Sequence, residues 1–222
     1  MKTTAIIVAA GSGSRFKSDT PKQFLEINGK PIIVHTLERF ERAPSIDSIV
    51  LVLPVDQVER VDSKIVSKLE YVVAGGETRS HSVLNGLNAI DRKTEIVAVH
   101  DGARPLVTIG EIERIVSKAK ETGAACLVGP VTDTIKSISV GEIVATLDRT
   151  KLRRAVTPQA FKLDVLKKAF DEVDLDESIT DESYLVEKLG YPISIVEGSA
   201  YNIKITHQED LVFAREILKE TS

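Results

Sequence analysis

The sequence of 222 residues is poor in cysteine, which limits the covalent and metal chemistry that it can support. Its single cysteine, Cys126, cannot form an internal disulfide bond and stands in the apolar run Ala124-Ala125-Cys126-Leu127-Val128. We expect a buried strand thiol, which is compatible with a reducing cytoplasm. Most of the four histidines stand in segments expected to be helical or capping, so no zinc site is indicated. No Ser/His/Asp pattern of the nucleophile-elbow kind is present.

Net positive charge and long apolar runs are absent as well. The formal net charge is −4, so no global basic field favours nucleic acid, and local groups must hold any anionic ligand. The apolar run at residues 5–10 is short and is followed by Gly11 and Arg15, and no run is long enough to span a bilayer. We therefore expect a cytoplasmic protein with no signal peptide, no membrane association and no nucleic acid partner.

Short apolar segments alternate with amphipathic ones along the first part of the chain. The expected strands cover residues 4–10, 48–53, 69–74, 95–100 and 124–131. The expected helices cover residues 31–42, 55–67, 80–90 and 109–122, the last of them capped by Thr108 and ended by Gly123. This alternation predicts an α/β fold with a mostly parallel sheet, whose ligands bind outside the carboxyl ends of the strands.

The rest of the chain begins with a different pattern. Residues 134–139 and 142–147 are expected to form a hairpin or arm around Val140-Gly141, and residues 153–161 a further extended segment. The later expected elements are helices at residues 162–173, 180–188 (with Thr180 as N-cap) and 208–220, and a strand at residues 193–196.

The first candidate site is the Gly/Ser-rich loop at residues 9–22. Gly11 and Gly13 allow the backbone to approach a phosphate closely, and successive N–H groups there can form an anion-binding nest. Arg15 and Lys22 add charge that can stabilise a pentavalent phosphorus centre. The loop matches neither a P-loop nor a dinucleotide fingerprint. On these residues alone, an ordinary strand-to-helix turn with solvated side chains is an equal alternative.

The second candidate site follows the strand expected at residues 95–100. Asp101 is a carboxylate at a strand end, a position suited to holding Mg²⁺ beside substrate phosphates. Arg104 can bind a second anionic group. The alternative is a helix-capping aspartate paired with a neighbouring arginine.

The third candidate site follows the strand expected at residues 69–74. Gly75 and Gly76 again permit close approach of a ligand, and Ser82 can bond a base or a phosphate. The alternative is a tight turn and a helix start, with Glu77 near the helix N-terminus.

Scattered polar residues form a fourth group, two cations and three hydroxyls that suit a phosphorylated polyol. Many surfaces offer such groups, and sequence chemistry alone does not select them. They are Thr134, Arg149, Thr157, Thr180 and Lys204.

Seven short motifs stand in a fixed order along nearly the whole chain. They are Ala9-Ala10-Gly11-Ser12-Gly13-Ser14-Arg15, Thr20-Pro21-Lys22-Gln23-Phe24, Gly75-Gly76-Glu77-Thr78-Arg79, His100-Asp101-Gly102-Ala103-Arg104-Pro105, Thr157-Pro158-Gln159-Ala160-Phe161, Thr180-Asp181-Glu182 and Asn202-Ile203-Lys204-Ile205-Thr206. Together they resemble the 2-C-methyl-D-erythritol 4-phosphate cytidylyltransferase family of the non-mevalonate isoprenoid pathway.

This resemblance implies one nucleotidyltransferase domain over residues 1–222. The implied fold is Rossmann-like: a mostly parallel twisted sheet with helices on both faces and a protruding β-arm at about residues 134–157. The implied reaction transfers CMP from CTP to the polyol phosphate and releases pyrophosphate, with Mg²⁺. The implied assembly is a homodimer whose arms reach the partner's active site.

The resemblance also implies roles for individual residues. Those implied at the reacting phosphates are Arg15 and Lys22, which stabilise the transition state, and Arg149 and Lys204, which position the attacking phosphate. Those implied to bind CTP are Ala9, Ala10, Gly11, Gly13, Gly76, Glu77, Ser82, Asp101 and Gly102. Those implied to bind the polyol phosphate are Asp101, Arg104, Thr134, Arg149, Thr157, Thr180 and Lys204, and Asp101 is also the implied metal ligand.

Two residues depart from the family pattern: Gly102 stands where alanine is common, and Glu77 where aspartate is common. Rival functions are a ribitol 5-phosphate cytidylyltransferase, a sugar-phosphate nucleotidyltransferase using UTP or GTP, and a non-catalytic nucleotide sensor. The presence of Arg15, Lys22 and Asp101 together argues against the sensor, because binding alone does not require all three.

Overall fold

The computed structural model describes residues 1–11, 16, 20–62, 64–176 and 178–220. The predictions for Gly13 and Arg15 therefore lie outside the described residues. In chain order the strands and α-helices are β1 (Lys2–Val8), β2 (Glu26–Ile27), β3 (Lys30–Pro31), α1 (Ile32–Arg42), β4 (Ser48–Leu53), β5 (Leu69–Ala74), α2 (Arg79–Ala89), β6 (Thr94–Asp101), α3 (Ile109–Thr122), β7 (Ala124–Pro130), β8 (Lys136–Ser139), β9 (Glu142–Thr146), β10 (Arg153–Lys162), α4 (Leu163–Glu172), α5 (Glu182–Lys188), β11 (Ser194–Glu197) and α6 (Gln208–Glu220).

A seven-stranded sheet in the order β11-β7-β10-β6-β1-β4-β5 forms the centre of the molecule. Strand β10 runs antiparallel to its neighbours β6 and β7, and the other six strands are parallel. The carboxyl ends of those six strands therefore lie at one edge of the sheet. The predicted fold class, a mostly parallel α/β sheet, is confirmed.

Both faces of the sheet are covered because the inner strands are apolar on both sides. In β1, Ala5 and Ile7 pack with the helices α1 and α3 on one face, whereas Ile6 packs with α2, α4 and α5 on the other. Helix α6 lies apart and packs in a smaller apolar cluster that includes Phe16 and Ile205. Two apolar layers thus cover the two faces of the sheet, and a third, smaller apolar cluster holds α6.

Most predicted elements are present, several with the predicted bounds. The strands at residues 48–53 and 69–74 and the helices at residues 109–122 and 208–220 match. The cap predicted at Thr108 forms a capping box with Glu111, and Gly123 ends the helix at φ +92°.

Two predictions of local structure are wrong. The helix expected at residues 55–67 is a short 3₁₀ helix, Val55–Arg60. Its valines recur every three residues, at Val55, Val58 and Val61, which fits three residues per turn better than 3.6. The N-cap of α5 is Asp181 instead of Thr180, because the Asp181 carboxylate accepts the backbone N–H of Tyr184 at 2.9 Å.

Strands β8 and β9 form a separate hairpin that is mostly exposed. Val140 (φ +49°) and Gly141 (φ +82°) form its turn, both with the positive φ of a type I′ hairpin turn. Large apolar side chains on or beside it are exposed to solvent, namely Ile138, Val140, Ile143, Val144 and Leu147. Residues 153–155 after the hairpin pair with β7 in the central sheet. The single-domain assignment and the arm limits stay predictions.

Candidate active site

A cleft of about 470 Å³ opens at the carboxyl edge of the parallel strands. The register brings Val8 of β1 beside Asp101 of β6, and Gly102 donates a backbone hydrogen bond to Val8 at 2.8 Å. The chain leaving β1 and the chain leaving β6 therefore face the same space. The residues lining the cleft are Val8, Ala9, Ala10, Gly11, Lys22, Gln23, Gly76, Glu77, Thr78, Arg79, Ser82, Asp101, Ala103, Lys204 and Thr206.

One wall of the cleft is the loop between β5 and α2, which requires its two glycines. A Cβ atom on Gly75 would overlap Ala10, and one on Gly76 would lie 2.5 Å from the Cβ of His81. The Ser82 hydroxyl donates to the carbonyl of Thr78 at 2.9 Å and accepts the N–H of Gly76 at 3.1 Å. Ser82 therefore holds the loop in shape from inside the fold.

Asp101 is the centre of a charged cluster at the inner end of the cleft. Its Oδ1 accepts from Nε of Arg79 at 3.0 Å, and its Oδ2 lies 2.9 Å from Nζ of Lys204 and 3.3 Å from Nε of Arg104. Nη1 of Arg79 donates in turn to Oε1 of Glu182 at 2.7 Å. Three cations thus surround two carboxylates, and the excess positive charge suits a ligand that brings phosphate groups.

Burial and neighbouring charges shift the pKa values of these groups in opposite directions. Burial alone would raise the pKa of Asp101, but the charges of Arg79, Lys204 and Arg104 hold that pKa well below its usual range. Burial raises the pKa of Glu182 despite its contact with Arg79. Burial would lower the pKa of Arg79, but Glu182 and Asp101 raise it well above the ordinary arginine value.

Behind Asp101, a buried histidine and a threonine connect β6 to β10. The Thr157 hydroxyl lies 3.0 Å from the backbone nitrogen of Asp101 and 3.1 Å from Nδ1 of His100. Nε2 of His100 lies 3.1 Å from the carbonyl oxygen of Arg104. Burial lowers the pKa of His100 to about 3, so the imidazole is neutral near pH 7.

The structure brings many of the predicted site residues to this cleft. Those that line it are Ala9, Ala10, Gly11, Lys22, Gly76, Glu77, Ser82, Asp101 and Lys204. Those that contact the Asp101 loop from behind or belong to it are Gly102, Arg104 and Thr157.

Besides Gly102, Arg104 and Thr157, three more of the predicted residues that the structure describes are absent from the cleft lining. Arg149 is exposed and donates through Nη1 to the carbonyl of Thr132, and Thr134 is exposed at the start of the hairpin region. Thr180 is exposed just before the cap of α5. Any role that these residues have in the reaction requires a substrate or a second chain to reach them.

Arg79 and Glu182 belong to two of the seven motifs, but the sequence alone assigns neither of them a role. The signal for Arg79 was Thr78, whose hydroxyl accepts the N–H of His81 and caps α2. This cap puts Arg79 in the first turn of α2, at the sheet edge. Nothing in the sequence indicated that Glu182 would be buried against it.

The chemistry of Asp101 suits a metal that arrives with phosphate ligands. Among the described residues there is no group of three or more His, Cys, Asp or Glu side chains that could hold a metal ion. Mg²⁺ commonly binds through one or two carboxylates together with substrate phosphates. Asp101 offers one carboxylate in the cleft, so it fits such an ion as a single protein ligand.

An α/β fold with a cation-rich cleft at the carboxyl ends of its parallel strands defines a class of proteins that bind phosphorylated ligands. The chain belongs to the 2-C-methyl-D-erythritol 4-phosphate cytidylyltransferase family, whose model matches residues 3–220. The resemblance seen in the seven motifs is therefore confirmed.

Similar proteins and structures cover the chain nearly completely. A 2-C-methyl-D-erythritol 4-phosphate cytidylyltransferase of Syntrophus aciditrophicus (strain SB) is 43% identical, over 99% of this chain and 97% of the relative. The protein of that name from Bacillus velezensis (strain DSM 23117 / BGSC 10A6 / LMG 26770 / FZB42) is also 43% identical, over 100% and 98%. The crystal structure of the Francisella tularensis protein of that name has a TM-score of 0.82 at 35% identity, over 98% of this chain and 100% of that one.

Proposed function

We propose that the chain transfers CMP from CTP to 2-C-methyl-D-erythritol 4-phosphate, forming 4-diphosphocytidyl-2-C-methyl-D-erythritol and pyrophosphate. The observation that carries this proposal is Asp101, held by Arg79, Arg104 and Lys204 at the inner end of a cleft large enough for a nucleotide. The family match over residues 3–220 supports the identity of both substrates.

This reaction does not require a strong general base. A phosphate oxygen of the polyol attacks the α-phosphorus of CTP, the bond from that phosphorus to the β-phosphate oxygen breaks, and pyrophosphate leaves with the electron pair. The nucleophile is already anionic, so positioning and charge neutralisation carry most of the catalysis. The fixed charges of the cleft are mostly cationic, which supports catalysis by positioning and charge neutralisation.

The cleft residues divide between the two substrates in this proposal. Lys22, together with Arg15, stabilises charge on the α-phosphate, and Lys204 holds the attacking phosphate. The residues proposed around CTP are Ala9, Ala10, Gly11, Gly13, Gly76, Glu77, Ser82, Asp101 and Gly102. The residues proposed around the polyol phosphate are Asp101, Arg104, Thr134, Arg149, Thr157, Thr180 and Lys204.

Mg²⁺ is the proposed cofactor, with Asp101 as its protein ligand. When bound, the ion offsets the negative charge of the triphosphate. Asp101 is ionised at neutral pH, so it can serve as a ligand without first losing a proton.

A homodimer is the proposed assembly. The hairpin β8–β9 exposes apolar side chains of the kind that mark a protein contact surface, including Ile138 and Ile143. We propose that exchange of these hairpins brings Thr134 and Arg149 to the partner's cleft, and their absence from the lining of their own cleft supports this arrangement. The cytoplasm is the proposed location; within the described residues, no helix combines the length and apolarity needed to cross a membrane.

The test is pyrophosphate release from CTP and Mg²⁺ with alternative acceptors. We expect turnover with 2-C-methyl-D-erythritol 4-phosphate and at most a few per cent of that rate with ribitol 5-phosphate, or when UTP or GTP replaces CTP. Turnover with ribitol 5-phosphate alone would transfer the assignment to that acceptor. Binding of CTP with no turnover on any acceptor would support a sensor.

A matched pair of lysine variants connects the activity to the cleft. Lys204→Gln removes a cation that contacts Asp101 at 2.9 Å, and we expect kcat/KM to fall by about 100-fold, as for loss of one charge-stabilising donor. Lys219→Gln on α6 removes an exposed lysine that pairs with Glu216, and it should leave the rate unchanged.

A further inference from the structure

Glu182 is a fully buried carboxylate for which the fold alone gives no reason. It is the first residue of α5 and has no exposed surface. Its Oε1 accepts from Nη1 of Arg79 at 2.7 Å. Among the described residues, its Oε2 has no hydrogen-bond partner. A buried carboxylate with an unpaired oxygen destabilises a fold. Its presence therefore indicates that the residue contributes to function instead of stability.

The backbone that carries Glu182 is fixed to the sheet on either side. The carboxylate of Asp181 caps α5 and accepts from Nε2 of Gln159 at 2.9 Å. The side-chain oxygen of Gln159 accepts the N–H of Ser183 at 2.9 Å. Gln159 belongs to β10, the strand beside Asp101, so Glu182 has a rigid support next to the cleft.

Arg79 bridges this support to the centre of the site. Its Nη1 is held by Glu182 and its Nε by Oδ1 of Asp101 at 3.0 Å, and the side chain is only a quarter exposed. Because Arg79 occupies Oδ1, the remaining oxygen Oδ2 is the one shared by Lys204 and Arg104. The orientation of the Asp101 carboxylate thus depends on where Glu182 holds Arg79.

We propose that Glu182 is a positioning residue of the transfer reaction, which fixes the Arg79 guanidinium and through it the orientation of the Asp101 carboxylate. The inference rests on the proposed function, since it concerns the same cleft. Glu182 touches neither substrate and acts only through Arg79. Without Glu182, the Arg79 guanidinium is free to rotate, either together with the Asp101 carboxylate or toward the substrate phosphates. Arg79, Arg104 and Lys204 then no longer hold Asp101 in one orientation.

Three variants separate charge, contact and surface effects. Glu182→Gln keeps an oxygen that can accept from Arg79 but loses the charge, and we expect kcat to fall about 10-fold. Glu182→Met removes the contact altogether, and we expect a loss of about 100-fold in kcat with KM for CTP changed less than about 3-fold. Glu187→Gln, on the exposed side of the same helix, should match the wild type.

A double variant distinguishes positioning from a merely structural role. Arg79→Met/Glu182→Met removes both members of the buried ion pair, so no charge is left unpaired at this contact. We therefore expect the double variant to fold, and melting curves check this. If Glu182 acts only through Arg79, the kcat of the double variant lies within about 3-fold of that of Arg79→Met, because no guanidinium remains for Glu182 to position. A double variant whose kcat lies about 10-fold or more below that of Arg79→Met would overturn the inference, because Glu182 would then work without Arg79.

Wild-type turnover separates failure of this inference from failure of the proposed function. If the wild type turns over and Glu182→Met retains its kcat, the positioning role is wrong and the function stands. If the wild type does not turn over with CTP and any polyol phosphate, the proposed function is wrong and the inference with it.

Discussion

The hydroxyl of Thr157 accepts a hydrogen bond from the backbone N–H of Asp101 at 3.0 Å. The same hydroxyl lies 3.1 Å from Nδ1 of His100, whose Nε2 faces the carbonyl of Arg104. A carbonyl can only accept, so Nε2 carries the proton of the neutral ring and Nδ1 accepts from Thr157. One threonine and one histidine thereby hold both ends of the loop that presents Asp101 and Arg104.

Replacing Thr157 with valine tests this support. The variant keeps the shape of the side chain but leaves the Asp101 N–H and Nδ1 of His100 unpaired. We expect the free energy of unfolding to fall by about 1–3 kcal/mol and kcat/KM to fall about 10-fold. Thr157→Ser keeps the hydroxyl and should retain both quantities. Chemical denaturation and steady-state kinetics check the pair, and equal behaviour of valine and serine would contradict the account.

The buried His100 predicts a pH dependence of stability. Its folded pKa of about 3 lies below its value in the unfolded chain, near 6.5, so the unfolded state binds more protons at acidic pH. The stability it contributes is fully present above pH 6.5 and is lost as the pH falls toward 3. Between pH 7 and pH 5 the free energy of unfolding should fall by about 2 kcal/mol through His100 alone.

Urea unfolding of a His100→Gln variant isolates this effect. The variant cannot titrate at this position, so its free energy of unfolding should change less between pH 7 and pH 5 than that of the wild type. Parallel pH curves for the two proteins would show that His100 is not the responsible group.

The close packing around Gly102 predicts that a larger residue at this position would disturb the wall of the cleft. A Cβ atom on Gly102 would lie 2.8 Å from the Cβ of Ala9 and 2.8 Å from Cδ1 of Ile33. Ile33 can shift the end of its side chain, but Ala9 cannot move without moving the cleft wall. We expect Gly102→Ala to cost about 1–3 kcal/mol of stability and to raise KM for CTP several-fold.

Two controls test the steric cause. Gly110→Ala lies on the surface of α3, where its Cβ atom would come within 3.4 Å of Arg114, and it should not raise KM for CTP. Ala9→Gly/Gly102→Ala removes the close contact and should recover most of the lost KM. A double variant no better than Gly102→Ala would exclude the Ala9 contact as the cause.

Sharing of active sites across a dimer can be tested by mixing two inactive chains. In the proposed function, Arg15→Ala disables the nucleotide loop and Arg149→Ala disables the arm, so we expect a mixed dimer to retain one intact site if the arms are exchanged. We expect the mixture to regain about a quarter of wild-type activity after subunit exchange, since half of the dimers are mixed and half of their sites are intact. Inactive mixtures in which native mass spectrometry detects heterodimers would contradict sharing.

The sequence predicts the layout of the fold well because its signals are local and consistent. The apolar strands at residues 48–53 and 69–74 and the capped helix at residues 109–122 each combine periodicity with clear end signals. For residues 55–67 the sequence predicted a helix but neither its 3₁₀ type nor its end at Arg60, because apolar residues spaced three apart occur in both helix types. The cap of α5 was misplaced because Thr180 and Asp181 are both good caps, and only the contact with Gln159 favours Asp181.

The candidate site was only partly predictable for a different reason. Glycines and charges after strands indicate where a ligand approaches, and Gly76, Asp101 and Lys204 indeed meet at one cleft. The link from Arg79 to Glu182 spans 103 positions and depends on how α5 packs on the sheet, so no local pattern contains it. The sequence likewise indicated Thr157 as a polar residue but not that its hydroxyl faces Asp101 and His100.

The central claim is that the acceptor's own phosphate attacks the α-phosphorus of CTP in this cleft. The most direct measurement is ³¹P NMR and mass spectrometry of the products formed from acceptor labelled with ¹⁸O in its phosphate. The account predicts one cytidine diphosphate-linked product that keeps all the label, and pyrophosphate that contains none. Label in pyrophosphate or in inorganic phosphate, or a product without a new diphosphate bond, would contradict it.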